Sequence, residues 1–477
     1  MKHFLMPSNL TDIAIHTPAR KITHKRFAED IAAARALLRE AIPPQCKRVT
    51  LTKSMHLYLN WVLRIALLAE GKWQVQLASR TPEQSDCFAL VAPDEPLLGL
   101  GRSLGLADLR PYQGRQPLVP VWELLNSLEF MTDPAVTVYT SGTTGQPKGV
   151  VLTGAMIHWR MENGRSVYRF TAKDCLYSQM GPDTVGGFYL PLNVLRVGGA
   201  LVLGTTLAAK SDTLPLLYQS TVIMSSTAGL DSELRSNEYW PNKEHRRVYL
   251  AGSRVHFPLA MKIKHLIADT VNVVYGSTEC GATTWITADR LEQNPSLVGP
   301  VQPGLQVLIK GADGQALPVD SQGEVFIKAA SGAMGYENNA APDVFQDGWF
   351  RPGDLGMFND RGDLLITGRV SETLNFSGEK FLATELETRI RQLPEVEDVF
   401  ATVILHSDKE RLVIMVVSKT PEALLKRQIK DTLFKKFPFT LVPVDSIPKN
   451  HMGKVNRQAL TASIEKNLTI RKDVKGD

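Results

Sequence analysis

The chain has 477 residues, a length that exceeds one ordinary hydrophobic core and predicts a large domain together with a smaller one. Hydrophobic residues make up 43% of the sequence and charged residues 22%, which is typical of a folded globular protein and excludes a disordered one. The formal net charge is +5, but basic and acidic residues are interspersed, so the sequence does not indicate a nucleic-acid-binding protein.

The four cysteines (Cys46, Cys87, Cys175 and Cys280) are far apart and have neither C-x-x-C nor zinc-ligand spacing. We therefore expect no disulfide bonds, no structural zinc and a reducing, cytoplasmic location. The N-terminus has no apolar core of signal-peptide length. The longest apolar stretch, residues 61–69, contains Arg64 and is about half as long as a membrane span, so we expect no transmembrane helix.

The first third of the chain predicts alternating helices and strands. Residues 25–41 are rich in helix formers, and Pro43-Pro44 ends that helix. A short strand over 48–52 and a helix over 56–70, which ends at Gly71, follow. This order predicts an α/β layer.

Residues 136–152 predict a strand, a polar loop and a second strand. The loop reads Thr140-Ser141-Gly142-Thr143-Thr144-Gly145, and Lys148 follows it. Glycines allow backbone N–H groups to approach a ligand closely, and the hydroxyls and the lysine suit the oxygens of a polyphosphate. The string is not the common P-loop, because Pro147 precedes the lysine and Gly149 follows it. The alternative is a plain Gly/Thr-rich hairpin loop.

A second motif ends the predicted strand over 271–275 and reads Tyr275-Gly276-Ser277-Thr278-Glu279. It offers an aromatic face to adenine, a hydroxyl to phosphate and a carboxylate to Mg²⁺, a cation that prefers oxygen ligands. The alternative is a strand followed by a helix N-cap.

A third motif, residues 349–356, contains Pro352-Gly353-Asp354. One carboxylate suits a ribose diol because each of its two oxygens can accept an O–H. The alternative is a plain turn aspartate. The last motif, residues 448–457, carries Lys454 near the C-terminus.

These strings, in this order, resemble the motifs of the adenylate-forming superfamily, which includes acyl- and aryl-CoA ligases, nonribosomal peptide adenylation domains and luciferases. The resemblance is least extensive before the phosphate loop, where the chain is shorter than these enzymes usually are. It implies an α/β protein with a large multi-subdomain N-terminal domain of mixed sheets and helices, residues 1–370. A small mobile α/β C-terminal domain, residues 371–477, follows.

The resemblance also implies a nucleotide site. The phosphate loop with Lys148 matches the family's triphosphate loop, and Ala251-Gly252-Ser253 resembles the loop that lines the adenine and acyl sites. Asp354 matches the residue that binds the ribose hydroxyls, and Arg369 matches the arginine that contacts ribose or phosphate. The implied ATP/AMP-binding residues are Thr140, Ser141, Gly142, Thr143, Thr144, Gly145, Lys148, Gly252, Tyr275, Gly276, Asp354 and Arg369. The implied catalytic residues are Lys454, Thr278 and Glu279, with Glu279 also holding the metal.

The implied acid pocket consists of Gly186, Gly187, Phe188, Ser253 and Gly281. Amino-acid-activating members carry an aspartate at the position of Gly186, whereas here the acid is Asp183, three residues earlier. This gap argues against an α-amino acid. Gly186-Gly187-Phe188 falls where aryl-CoA ligases place Tyr-Gly-Leu/Phe, which favours an aromatic or short apolar acid. The alternative is that Phe188 is a core residue of an amphipathic helix.

In the C-terminal region, Ser371 stands at the family's hinge position, which is commonly Asp or Lys, and Gly378 matches the loop presented to the pantetheine thiol tunnel. The pattern after the hinge predicts a helix over 383–393, strands over 399–405 and 412–417, and a helix over 423–437.

The function implied is ATP- and Mg²⁺-dependent activation of a small carboxylic acid to an acyl-adenylate, followed by transfer to a pantetheine thiol. We expect the acceptor in trans, as CoA or as a separate acyl or peptidyl carrier protein, because no carrier domain is recognisable after Lys454. One alternative is a stand-alone adenylation enzyme that loads an acyl or aminoacyl group onto a carrier protein. Another is a catalytically silent nucleotide-binding homologue, although Lys148, Glu279, Asp354, Arg369 and Lys454 are all present.

Overall fold

A computed structural model describes most of the chain. The described residues are 9–52, 54–77, 87–95, 100–140, 148–205, 218–236, 240, 243–330, 332–339, 341–376, 378–406, 409–432, 437–449, 455, 457, 460–462 and 464. Contacts divide the chain into two compact units. The first comprises Met1–Val307 and Ile327–Phe350, and the second Leu308–Phe326 and Arg351–Asp477. The predicted domain boundary at residue 370 was placed at a hinge. The division into two compact units does not test a hinge, so this boundary stays a prediction.

Where helices of the first unit were predicted, the described α-helices lie at the predicted positions. None of the described helices is both long and apolar enough to cross a bilayer. The described α-helices of the first unit are His24–Ala41, Leu57–Glu70, Val121–Asn126, Gly154–Tyr168, Val185–Arg196, Thr227–Ser236 and Phe257–Leu266. Gly71 ends the second helix in a left-handed conformation, as its sequence position predicts.

Among the described residues, six strands of the first unit form one sheet. Their order across the sheet is Gly101–Ser103, Cys87–Val91, Arg48–Leu51, Gln74–Leu77, Pro134–Thr140 and Lys148–Thr153. All neighbours are parallel except the last pair, which is antiparallel. We call this last pair the phosphate-loop hairpin.

A second sheet of the first unit contains eight described strands. Their order is Gly281–Thr287, Thr270–Ser277, Arg247–Leu250, Val222–Ser225, Cys175–Ser178, Ala200–Val202, Ile13–His16 and Lys21–Thr23. The six inner strands are parallel and the two edge strands antiparallel. Consequently, the carboxyl ends of Cys175–Ser178, Val222–Ser225, Arg247–Leu250 and Thr270–Ser277 meet at one edge, where α/β proteins commonly bind ligands. Further strands of this unit are Leu297–Pro300, Phe345–Gln346 and Trp349–Phe350.

The Tyr275–Glu279 motif is followed by a strand and not by a helix. Thr270–Ser277 pairs antiparallel with Gly281–Thr287, with an irregular register at Tyr275 and Gly276. The helix N-cap alternative is therefore wrong.

The second unit contains a small three-stranded sheet among its described residues, formed by Val396–His406, Lys409–Ser418 and Phe439–Pro443. The helices Ala383–Arg391 and Glu422–Thr432 pack on it around Ile390, Ile414 and Ile429. They lie within the predicted helices 383–393 and 423–437 except for Glu422, and residues 433–436 are outside the described part. The unit also has a hairpin of Thr373–Phe376 with Glu379–Leu382, and the paired strands Asp354–Phe358 and Asp363–Arg369.

Two strands contribute residues to both units. They are Leu305–Lys310 and Gly323–Ala329, and they pair with each other.

The start of the helix Val185–Arg196 is closely packed against the turn that precedes it. Thr184 is its N-cap, and the Thr184 hydroxyl oxygen accepts a hydrogen bond from the Gly187 N–H at 3.0 Å. A Cβ atom on Gly187 would lie 2.1 Å from the carbonyl oxygen of Gly181, whereas one on Gly186 would lie 3.0 Å from the sulfur of Met180. Backbone cannot move aside as a methionine side chain can, so glycine is required at 187 and only favoured at 186.

The substitution Gly187→Ala should therefore lower the free energy of unfolding by about 1–3 kcal/mol, the usual effect of forcing atoms into a packed site. Gly186→Ala should be close to neutral, because alanine's helix preference over glycine of about 1 kcal/mol offsets the displacement of Met180. Urea unfolding of both variants checks this, and equal losses would contradict the packing at Gly181.

Candidate functional site

The two ends of the predicted phosphate loop lie opposite each other in the phosphate-loop hairpin. Thr140 pairs with Lys148, and the Thr140 hydroxyl donates to the Lys148 carbonyl oxygen at 3.4 Å. The Lys148 ammonium lies 5.4 Å from the centre of the Tyr336 ring. The loop residues Ser141, Gly142, Thr143, Thr144 and Gly145 lie outside the described residues.

Tyr336 connects this lysine to the predicted metal-binding carboxylate. Its hydroxyl donates to Oε1 of Glu279 at 2.7 Å. Burial and the neighbouring Glu279 charge raise the pKa of Tyr336, so the phenol stays protonated and remains a donor at neutral pH. Lys148, Tyr336 and Glu279 thus form one contiguous group, which we call the carboxylate cluster.

The carboxylate of Glu279 suits a magnesium ion that is bound together with substrate phosphates. The residue is only 7% exposed, and among the described contacts its second oxygen accepts no hydrogen bond. No group of three or more His, Cys, Asp or Glu in the described part of the chain could hold a metal alone. Mg²⁺ usually takes one or two carboxylates and completes its shell with phosphate oxygens and water. The donor set therefore fits Mg²⁺ delivered with ATP.

Arg160 is a component of this site that sequence reasoning missed. It is 3% exposed and donates Nη1–H to the carbonyl oxygen of Thr278 at 3.0 Å and Nη2–H to that of Glu279 at 2.7 Å. Burial lowers the pKa of the guanidinium from its ordinary high value. The signal in the sequence was a cationic residue on the buried stripe of a helix that also contains Ile157 and Gly164.

The predicted adenine-side residues lie at the carboxyl edge of the eight-stranded sheet. Gly252 follows the strand Arg247–Leu250 with a left-handed φ of 91°. Ser253 is hydrogen-bonded through its hydroxyl to Thr227. Gly276 packs so tightly that a Cβ would lie 2.2 Å from the carbonyl oxygen of Gly281. The structure therefore brings Gly252, Ser253 and Tyr275 to the same edge of one sheet.

The expected pocket residues separate into different environments. Phe188 is 1% exposed and stacks on Trp61 with ring centres 6.3 Å apart, which favours the core interpretation. A Cβ on Gly281 would contact the Arg160 side chain at 3.5 Å, so Gly281 lies under Arg160. Gly186 adjoins Met180 and Met224.

A polar cluster at the same sheet edge was not predicted. The Gln179 side chain accepts a hydrogen bond from the Ser225 hydroxyl and donates Nε2–H to Glu233 at 3.3 Å. Gln179 directly follows the strand Cys175–Ser178, and Ser225 ends its neighbour. Polar residues at the ends of parallel strands were the available signal.

In the second unit, the structure brings together the predicted ribose and phosphate ligands. Asp354 and Arg369 are partners on adjacent strands, and Arg369 donates Nε–H to Oδ1 of Asp354 at 2.7 Å. Gly353, just before the aspartate, has a left-handed φ of 75°. The register of the two strands therefore places the Asp354 and Arg369 side chains next to each other.

The predicted catalytic lysine, Lys454, lies outside the described residues. Next to this segment, Lys449 and Val455 form an antiparallel bridge. Three residues after the lysine, Arg457 donates to both carboxylate oxygens of Glu387, at 2.7 and 2.9 Å, and its Nε lies 3.3 Å from a carboxylate oxygen of Glu372.

The hinge and tunnel candidates are also in the second unit. Ser371 is in the short 3-10 helix Val370–Glu372. Gly378 is in the turn before the strand Glu379–Leu382 and has a left-handed φ of 81°. Within the described part of the chain, no atom lies within 4 Å of a Cβ position on Gly378.

Comparison with known sequences finds a matching family model and several curated relatives. Residues 104–337 match the family model described as AMP-binding enzyme. The chain is 25% identical over 337 residues to the indoleacetate–CoA ligase of Aromatoleum aromaticum, which covers 68% of this chain and 66% of that ligase. It is 29% identical over 371 residues to the medium/long-chain-fatty-acid–acyl-carrier-protein ligase FadD10 of Mycobacterium tuberculosis, covering 71% and 68% of the two chains.

Solved structures share the fold over nearly the whole chain. ATP-bound MatB of Rhodopseudomonas palustris superposes with a TM-score of 0.81 at 21% identity, covering 96% of each chain. The o-succinylbenzoate CoA synthetase MenE of Bacillus subtilis superposes with a TM-score of 0.76 at 20% identity, covering 94% of this chain and 95% of that one. The predicted resemblance to adenylate-forming enzymes is therefore supported by the AMP-binding enzyme model over residues 104–337 and by relatives that are named CoA and acyl-carrier-protein ligases. These structures confirm the predicted α/β fold. The names of the two relatives agree with the predicted acid-thiol ligase class.

The Arg457–Glu387 pair gives a pH-dependent stability. Burial raises the pKa of Glu387, and the Arg457 guanidinium opposes that shift. Because the folded-state pKa lies above the unfolded value, stability from this group is fully present below the unfolded pKa and falls as pH rises through the folded one. Arg457→Met removes the opposing charge, so the folded-state pKa of Glu387 rises further. Above that pKa, the free energy of unfolding of the variant should be about 3–5 kcal/mol lower than that of the parent chain. This is the usual effect of removing one partner of a buried ion pair.

Urea unfolding of parent and variant, measured from about pH 4 to about pH 8, checks this. The deficit should grow with pH and shrink in the double variant Arg457→Met/Glu387→Gln, which has no carboxylate at position 387. A deficit that is the same at every pH would show that Glu387 does not titrate in response to Arg457.

Proposed function

We propose that this protein activates a small carboxylic acid with ATP to an acyl-adenylate and transfers the acyl group to the thiol of CoA. The observation that carries the proposal is the carboxylate cluster. Lys148, which begins the second strand of the phosphate-loop hairpin, and the buried Glu279 are connected by the Tyr336 side chain. Among the described contacts, one carboxylate oxygen of Glu279 accepts no hydrogen bond. Such an arrangement suits the phosphates of ATP and the cation that accompanies them.

The two reaction steps have a common chemical reason. A free carboxylate cannot be attacked by a thiol, because oxide would have to leave. In the first step, an acid oxygen forms a bond to the α-phosphorus of ATP, and the bond from that phosphorus to the bridging oxygen breaks to release pyrophosphate. In the second step, the thiol sulfur bonds to the acyl carbon, loses its proton, and AMP leaves with the acid's oxygen. The leaving group is therefore AMP.

Residues of the first unit hold the triphosphate in this proposal. Lys148 and the preceding loop neutralise the β- and γ-phosphates, and the backbone N–H groups of the loop donate to their oxygens. Glu279 would hold Mg²⁺, which would supply positive charge to the phosphate oxygens. Thr278 donates its hydroxyl to a phosphate oxygen, and the loop at Gly252 with Tyr275 receives the adenine.

Residues of the second unit act on the ribose and on the reacting atoms. Asp354 accepts hydrogen bonds from both ribose hydroxyls. Arg369 donates a hydrogen bond to the Asp354 carboxylate and a second one to the nucleotide. Lys454 donates to the acid carboxylate and the α-phosphate as negative charge builds there, which is worth about 10²–10³ in rate for a group of this kind. Between the two steps, residues 371–477 rotate about Ser371. This rotation withdraws Lys454 from the reacting atoms and presents the Gly378 turn to the entering thiol.

The acid is proposed to be aromatic or short and apolar. Gly186 lies against Met180 and Met224, two apolar side chains that are largely buried, so the surroundings of this position are apolar. Phe188 is part of the core and packs the helix Val185–Arg196 against Trp61. The names of two relatives, indoleacetate–CoA ligase and 4-chlorobenzoate–CoA ligase, agree with an aromatic acid.

A carrier protein is the second candidate acceptor, because FadD10, which is 29% identical, is named an acyl-carrier-protein ligase. The acceptor is assigned by offering CoA and a phosphopantetheinylated carrier protein separately to enzyme that holds a preformed acyl-adenylate. Thioester formation only on the carrier would replace CoA in the proposal.

ATP–pyrophosphate exchange tests the first step. With a panel of aryl, short-chain, long-chain and amino acids, exchange should occur with one class, and Lys454→Ala should reduce it by at least about 10²-fold. The same variant should largely retain thioester formation from supplied acyl-adenylate, because Lys454 acts at the α-phosphate. Equal loss of both half-reactions would contradict the role given to Lys454, and no exchange with any acid, despite ATP binding, would favour a silent homologue.

The ribose contact is tested with 2′-deoxy-ATP. The parent chain should bind ATP more tightly than the deoxy analogue by about 10-fold or more, since a hydrogen bond to a charged group is worth about 1.5–3 kcal/mol. Asp354→Ala should weaken ATP binding and abolish this preference. Calorimetric titration measures both, and a preference that survives in the variant would assign the ribose to another residue.

A further inference from the structure

We propose that Arg160 is a positioning residue for the metal-bearing turn, and that it sets how tightly the ATP complex binds a divalent cation. The inference deepens the proposed function, on which it rests, because the cation site is the one assigned to Glu279. Arg160 itself contacts neither the nucleotide nor the cation in this account.

The geometry points to a clamp on two consecutive peptide groups. The two Nη atoms of Arg160 donate to the carbonyl oxygens of Thr278 and Glu279, at 3.0 and 2.7 Å. The Glu279 carbonyl also accepts the N–H of Ala333 at 2.7 Å. With the Tyr336 hydroxyl on its carboxylate, Glu279 is held at both its backbone and its side chain.

The clamp connects the metal-bearing turn to the phosphate loop. Arg160 lies in the helix Gly154–Tyr168, which begins directly after the second strand of the phosphate-loop hairpin. Thr153 ends that strand and is also the helix N-cap, accepting the Met156 N–H at 3.1 Å. The helix therefore fixes the distance between the element that binds phosphates and the turn that binds the cation.

The charge of Arg160 is engaged as well as its hydrogen-bond donors. The guanidinium is buried close enough to Glu279 to interact with it electrostatically. Removing a charge from water is costly, so a buried arginine is retained where its donors and its charge are both engaged. Residues that orient a metal ligand without touching the metal typically change affinity by about 10–100-fold when they are substituted.

The chain provides a matched control for a purely structural arginine. Arg246 is 0% exposed and donates to two carbonyl oxygens, those of Ser220 and Ile267, both at 3.0 Å. It precedes the strand Arg247–Leu250, at the end of the sheet opposite to the candidate site. If Arg160 only supports the fold, substitutions at 160 and 246 should have the same consequences.

The experiment measures cation binding by the full chain, with Mn²⁺ as a paramagnetic substitute for Mg²⁺. Electron paramagnetic resonance gives the Mn²⁺ dissociation constant of the enzyme–ATP complex for the parent chain, Arg160→Lys, Arg160→Met and Arg246→Lys. We expect a rise of about 10–100-fold for Arg160→Met, a smaller rise for Arg160→Lys, and a change within about twofold for Arg246→Lys. ATP binding in EDTA should be the same in all four.

Each outcome bears on the inference. An unchanged Mn²⁺ constant in a folded Arg160→Lys or Arg160→Met protein, with a loss of thermal stability like that of Arg246→Lys, would overturn it. If Arg160→Met does not fold, Arg160→Lys decides alone. A parent chain that binds Mn²⁺ no better with ATP than without would instead overturn the proposed function, and the inference with it.

Discussion

The candidate site depends on how Glu279 is held. Its carboxylate accepts a hydrogen bond from Tyr336, and its backbone carbonyl accepts one from Arg160. These partners come from segments 57 and 119 residues away along the chain, so the carboxylate can be in place only when both segments have folded. A carboxylate fixed in this way would lose little conformational freedom on binding a cation, and that would favour tight binding.

The sheets explain why these segments meet. The inner strands of the eight-stranded sheet are parallel, so the loops after Ser178, Ser225, Leu250 and Ser277 collect at one edge. The helix Gly154–Tyr168 connects the other sheet to this one, because it begins at the phosphate-loop hairpin and carries Arg160 to the Glu279 turn. In the second unit, strand pairing alone puts Arg369 beside Asp354. The site's polar groups are thus fixed mainly by backbone register.

Local signals predicted the elements well. Helix formers before Pro43-Pro44 gave the helix His24–Ala41 almost to the residue, and the Gly/Thr-rich string was correctly bracketed by two strands. Asp354 and Arg369 were both nominated because each lies in a recognisable string, and the structure pairs them, while their roles as nucleotide ligands stay predictions. In these cases the structure is determined by the helix or strand propensity of the residues, by turn-forming residues and by the alternation of apolar and polar side chains. All three act over a few residues.

Long-range contacts could not be predicted in the same way. Arg160 could be noticed as a cation on a buried helix stripe, but its role was missed because its partners are backbone carbonyls, which have no signature in a sequence. Gln179 and Glu233 are likewise joined only by the fold. Phe188 had two interpretations, and stacking on Trp61, 127 residues earlier, favours the core; that contact is invisible to helical periodicity.

The central claim is that the acid's oxygen bonds to the α-phosphorus of ATP, and isotope transfer tests it most directly. An acid that the enzyme accepts as substrate, labelled with ¹⁸O in both carboxyl oxygens, would be incubated with the full chain, ATP, Mg²⁺ and CoA. The masses of the products would then be measured by mass spectrometry. The account predicts one ¹⁸O atom in AMP and unlabelled pyrophosphate. Label in inorganic phosphate, with ADP as the other product, would show attack at the γ-phosphorus and contradict the account.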